Sequence, residues 1–94
     1  MHNLNEEAAR CQFISAMRDK LMEESLPLLI KEAASMHPTR TSIVLKMILG
    51  GKLGQVRQLE ASMALNQLLL GAAVDVAEQC WLDLRHKLPL REAA

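Results

Sequence analysis

The sequence has few aromatic residues: it contains one phenylalanine, Phe13, one tryptophan, Trp81, and no tyrosine. Threonine, another residue typical of strands, is also rare, and this scarcity argues against an extended sheet. Leucine, alanine and methionine, which form helices readily, are abundant instead. The composition therefore predicts an all-α protein.

Cysteine is also scarce, because only Cys11 and Cys80 occur, far apart and in no CxxC pair. Together with the lack of an apolar signal segment behind a basic start, this favours a cytoplasmic protein in which both thiols are reduced and buried. A disulfide between them is the alternative. The longest weakly polar stretch, residues 61–74, is shorter than the roughly 20 residues that cross a bilayer, so no membrane span is expected.

A net charge is missing as well, since eleven basic residues balance eleven acidic ones. This balance gives no overall electrostatic drive toward nucleic acid or an anionic membrane. An apolar content of 50% is too high for a disordered chain, and 94 residues suffice for one core. We expect residues 1–94 to form a single α-helical domain.

The first half of the sequence predicts three helices. Asn5 can cap the first, whose apolar stripe recurs at steps of four, and Pro27 indicates a break near residues 24–26 with Ser25 as the next cap. A single kinked helix is the alternative. The second helix extends to about Met36, and residues 37–40 are predicted as a loop because a proline follows His37.

Thr41 or Ser42 can cap a third, very apolar helix over residues 43–49, ended by two glycines. The β-branched residues there leave a strand as the alternative. Helical spacing resumes at Leu53 and continues to Leu88, with Gly71 as either a tolerated interior glycine or a turn, and with Pro89 marking the end. The whole pattern predicts three to five helices in antiparallel hairpins, either tetratricopeptide-like or an irregular bundle.

No reaction is indicated by the reactive residues. The three histidines have none of the spacings of metal sites, and no serine or cysteine is placed beside a histidine with an orienting carboxylate. The glycines of residues 50–54 lack the P-loop pattern. We therefore expect no metal, no cofactor and no enzymatic activity.

A helix-turn-helix DNA-binding element matches one part of the chain. The predicted helix before the glycine pair and the helix after it carry Lys52, Gln55 and Arg57 near the second helix start. Residues 35–60 contain four basic residues against Glu60 alone, which indicates a docking patch for an acidic partner or phosphate, or else an ordinary solvated surface. The sparse basic residues and the neutral chain weigh against DNA binding, so nucleic acid is not the expected partner.

Ala77, Trp81 and Pro89 fit half of the tetratricopeptide pattern, in which a small residue, a bulky ring and a terminating proline join two antiparallel helices. The other half is absent, since Ala61, Ala64, Leu65 and Leu68 occupy its positions and Leu84 stands where a small residue is usual. With this composition the chain resembles the small tetratricopeptide-like chaperones of bacterial type III secretion. The resemblance implies a concave groove that holds an amphipathic helix of an export substrate.

The apolar residues themselves point to a partner. Residues 43–49 and 61–84 place them on more than one helix face, which is more than a few helices of this chain can cover. We expect a cytoplasmic chaperone or adaptor that binds another protein chain, whether a secreted subunit, a co-chaperone or a second copy, through a groove formed by Met47, Leu65, Leu69 and Val76. The alternative is a dimeric helix-turn-helix regulator, or a protein that binds such a regulator.

Overall fold

Four helices follow one another in the computed structural model, which describes residues 2–87 and the side chains from Asn5 onwards. They are α1 (His2–Glu24), α2 (Leu26–Met36), α3 (Pro38–Gly50) and α4 (Gln55–Lys87). No strand occurs within residues 2–87, so the all-α prediction is confirmed and residues 43–49 are helical. The molecule is elongated, 61 × 21 × 20 Å, because the 33 residues of α4 alone extend about 50 Å.

The break between α1 and α2 is confirmed and consists of one residue, Ser25. Pro27 lies in the first turn of α2, where its missing N–H removes no needed hydrogen bond. Ser25 is the N-cap residue of α2 as predicted, but its hydroxyl makes no capping hydrogen bond. Instead the backbone N–H of Ser25 donates to the Leu21 carbonyl at 2.9 Å, and the Ser25 carbonyl accepts from Leu29 at 3.0 Å. The predicted start of α1 at Asn5 is wrong, since the helix begins at His2.

The junction of α2 and α3 is shorter than the loop predicted for residues 37–40. Only His37 leaves the helical conformation, with φ −137° and ψ 72°, as a residue before proline does. Pro38 begins α3, because its fixed φ suits the first helical position. Thr41 is therefore no cap. Its buried hydroxyl donates to the Ala33 carbonyl at 3.1 Å and ties α3 to α2.

The glycine pair ends α3 as predicted. Gly51 has φ +69°, the left-handed conformation that glycine adopts without a Cβ clash. The chain then turns through residues 51–54, and α4 begins at Gln55, two residues after the predicted Leu53. Gly71 does not interrupt α4, which is continuous to Lys87. The predicted end at Pro89 lies outside the described residues.

The core lies where α1, α2 and α3 pack against α4. Its central residue is the fully buried Leu29 of α2. On α4 the buried residues include four alanines, and small side chains allow helix axes to approach closely. The buried cluster consists of Leu21, Leu29, Ala33, Val44, Leu68, Leu69, Ala72 and Ala73.

Leu29→Ala should lower the free energy of unfolding by about 2–5 kcal/mol, because it leaves a cavity at the centre of this cluster. Leu28→Ala, an exposed leucine one position earlier in α2, is the matched control and should cost less than about 1 kcal/mol. Urea unfolding followed by circular dichroism measures both. Equal losses would mean that Leu29 is not the packing centre.

Gly71→Ala should raise the free energy of unfolding by about 1 kcal/mol, because a helical interior favours alanine and the added Cβ would meet no neighbouring side chain or helix within 4 Å. Gly51→Ala should lower it by about 1 kcal/mol, because the left-handed backbone there disfavours a Cβ. Thermal or urea unfolding of the two variants should thus give shifts of opposite sign. Shifts of the same sign would contradict the helix and turn assigned to these glycines.

Candidate functional site

An antiparallel seam joins α1 to the C-terminal half of α4. Arg10 donates to Glu78 at 2.8 Å, and Arg85 pairs with Glu6 at 2.8 Å. Beside these ion pairs the rings of Phe13 and Trp81 pack with their centroids 5.5 Å apart, tilted by 49°. Partly exposed ion pairs contribute little to stability, but together with the contact between the rings they define the register of the two helices.

Two of the residues assigned to hairpin packing belong to this seam. Ala77 is fully buried, one position before Glu78, and Trp81 contacts Phe13 of α1. Pro89, the third, is outside the described residues. The neighbouring helix is α1 from the other end of the sequence, so the pairing is not one between consecutive helices of a repeat.

The seam does not reach the N-terminal end of α4, because α1 has 23 residues and α4 has 33. The register defined by the two ion pairs, continued along both helices, places Glu24 at the end of α1 level with about residues 64–67 of α4. The presence of Leu21 in one cluster with Leu68 and Leu69 agrees with this register. The first three turns of α4 therefore extend past α1.

The side of α4 that meets α1 continues as an apolar line beyond the end of α1, with the exposed Glu60 next to it. Val56, Met63, Leu70 and Ala77 recur every seven residues, which keeps them on nearly the same side of the helix. Their exposure rises from 0% at Ala77, through half-buried Leu70, to 61% at Met63 and 72% at Val56. An apolar seam thus continues after its covering helix has ended.

We call Val56, Leu59 and Met63 the open stripe. Leu59, 62% exposed, follows Val56 by three residues and precedes Met63 by four, so the three share one helix face. Ile43 and Leu49 of α3 are also more than half exposed. Single exposed leucines are ordinary, but three large apolar residues on one face within about two turns are typical of a binding surface.

The residues predicted to form the groove lie elsewhere. Leu69 is a buried member of the core cluster, and Leu65 and Val76 pack against it. Met47 is half-buried on α3. In this arrangement all but Met47 contribute to the packing between the protein's own helices, so binding of a partner through this set stays a prediction. The most exposed large apolar residues of α4 are those of the open stripe.

A polar cleft of about 200 Å³ lies at the opposite end of α4, lined by Glu6, Glu7, Arg10, Trp81 and Arg85. Both arginines already pair with carboxylates. The cleft therefore offers no free cation for an anionic ligand. Its ion pairs between α1 and α4 are part of the contact between these two helices.

Other groups with possible chemistry are dispersed. Across the described part of the chain, no three histidine, cysteine or acidic side chains come together as a metal site would require. Cys11 and Cys80 are free thiols, and the expectation that both are buried is wrong, because Cys11 is exposed and Cys80 half-buried. None of the helices within residues 2–87 combines the length and the apolar character that a bilayer span needs.

Two carboxyl groups face each other between α2 and α4. A hydrogen bond with Asp75 raises the pKa of Glu32 above its ordinary value, and partial desolvation and the negative charge of Asp75 raise this pKa further. The folded state therefore holds a proton more tightly here than the unfolded chain does. The contribution to stability is full below the unfolded pKa of about 4.5 and is lost as the pH rises through the raised folded pKa.

Glu32→Gln should accordingly raise the melting temperature at pH 7, because it removes one of two facing negative charges, and should change it little near about pH 3. Thermal unfolding over this pH range measures the effect. Glu60→Gln, which removes an exposed carboxylate from α4, is the control. A benefit of Glu32→Gln that did not grow with pH would contradict the facing pair.

Comparison with known protein families, characterised proteins and solved structures yields no match to this chain. The chemistry and shape of the described surface are therefore the basis on which its function is inferred.

Proposed function

We propose that this protein is a non-enzymatic, cytoplasmic chaperone or adaptor that binds an amphipathic helix of another protein. The observation that supports this function best is the open stripe. Val56, Leu59 and Met63 continue the seam along which α4 already packs against one helix, α1. A surface that binds a helix along half its length is suited to binding a second helix along the other half.

The spacing of the stripe supports a helical occupant. Side chains at i, i+3 and i+7 form a narrow apolar line, which matches the line on an amphipathic helix that lies alongside. Half-buried Met47 and exposed Met63 add flexible thioethers, which adapt to different partners. The occupant would cover apolar surface that now faces water, and this burial would supply the binding free energy.

The resemblance to type III secretion chaperones gives this function a biological setting. A chaperone of that kind holds an amphipathic helix of an export subunit until it is secreted, and the open stripe would be the holding surface. The helix-turn-helix alternative agrees less well with the exposed residues, because the first turns of α4 present Val56 and Leu59 where a recognition helix presents polar groups to the bases.

Leu59→Gln should weaken the binding of an amphipathic helix by about 5- to 30-fold, because it removes about 1–2 kcal/mol of apolar burial. The probe is a fluorescein-labelled peptide of about 16 residues with leucines at i, i+3, i+4 and i+7 and uncharged polar residues elsewhere. Fluorescence anisotropy gives its Kd, which we expect to be roughly 10 μM for the unaltered protein.

Leu82→Gln is the matched control, since Leu82 is an exposed leucine near the other end of α4. It should leave the Kd unchanged. Melting curves of both variants show whether the fold is retained. The proposal fails if the unaltered protein shows no saturable binding of the peptide, or if the two substitutions weaken binding equally.

A further inference from the structure

Charge is distributed unevenly along the molecule. From residue 33 to residue 74 the chain carries four basic residues and a single acidic one, Glu60. All four basic side chains are exposed on α3, the turn and the start of α4: Arg40, Lys46, Lys52 and Arg57. The segment that carries the open stripe, residues 43–66, contains Lys46, Lys52 and Arg57 against Glu60 alone and is therefore net positive.

These cations are not used inside the fold. Every ion pair formed by the described side chains lies on α1 or between α1 and the C-terminal half of α4. Lys46, Lys52 and Arg57 have no described carboxylate within ion-pair distance, although Glu60 is near Arg57 in sequence. Their charge remains available to a molecule that lies on the stripe.

We infer that the occupant of the open stripe is an acidic amphipathic helix of a different protein, lying along residues 55–66 of α4 in line with α1. This inference rests on the proposed function and specifies its partner. The apolar line of such a helix would cover Val56, Leu59 and Met63. Its flanking carboxylates would meet the basic residues at this end and would accelerate and orient the encounter.

The charges distinguish this partner from two others. A second copy bound through the same stripe would place an equally positive segment against the first, and like charges in an interface oppose association. A nucleic acid would satisfy the cations but would place its phosphates over three large apolar side chains. An acidic amphipathic helix would pair its carboxylates with these basic residues and bury its apolar face against the open stripe.

The test compares two peptides that share the leucine face of the uncharged probe and carry either glutamates or lysines at the flanking positions. At about 50 mM salt the glutamate peptide should bind at least about tenfold more tightly than the lysine peptide, and this ratio should shrink toward unity near about 1 M salt. Lys52→Glu combined with Arg57→Glu should reverse the preference. Lys20→Glu combined with Lys31→Glu changes the net charge equally, at exposed sites on α1 and α2, and should preserve it.

The outcomes separate this inference from the function on which it rests. Equal binding of the two charged peptides, together with binding of the uncharged probe that Leu59→Gln weakens, would overturn the acidic partner and retain helix binding. A dimer in sedimentation that Leu59→Gln converts to monomer would assign the stripe to a second copy instead. Salt-sensitive binding of an oligonucleotide that the glutamate peptide does not displace would also overturn it, and absence of all peptide binding would remove both proposals.

Discussion

The structure depends on the pairing of two helices of unequal length. α1 and α4 pack antiparallel through Phe13 against Trp81 and through Arg10 with Glu78, which define one register. Given that register, ten more residues in α4 than in α1 leave the start of α4 without a neighbour on that side. The apolar sequence of α4 does not change where α1 ends, and the open stripe is the direct result.

Several helix boundaries were predictable because they depend on the nearest residues. Pro27 indicates the break after α1, and the glycine pair indicates the end of α3, since both act through backbone geometry alone. The loop predicted around Pro38 is helical instead, because a proline is compatible both with a loop and with the first position of a helix. Thr41 has a side chain typical of a helix cap, but its hydroxyl donates to the Ala33 carbonyl of the preceding helix, a tertiary contact that no local pattern reveals.

The candidate site was less predictable than the fold. Periodicity shows which residues share a face of α4, but it does not show which face another helix covers. That information comes from the register of α1, which is defined by contacts such as Arg10 with Glu78, 68 positions apart in sequence. Leu65, Leu69 and Val76 lie on the core side of α4, which periodicity alone does not distinguish from an uncovered side. The seven-residue recurrence from Val56 to Ala77, together with the shorter α1, was the signal that could have located the stripe.

The single-residue link at Ser25 limits how a partner can be accommodated. Backbone hydrogen bonds on both sides of Ser25 connect the last turn of α1 to the first turn of α2, which leaves almost no slack between them. Separation of α1 from α4 would therefore also displace α2 and its buried Leu29. An incoming helix cannot easily take the place of α1. A partner would therefore bind to the exposed N-terminal part of α4 without a rearrangement of the other helices.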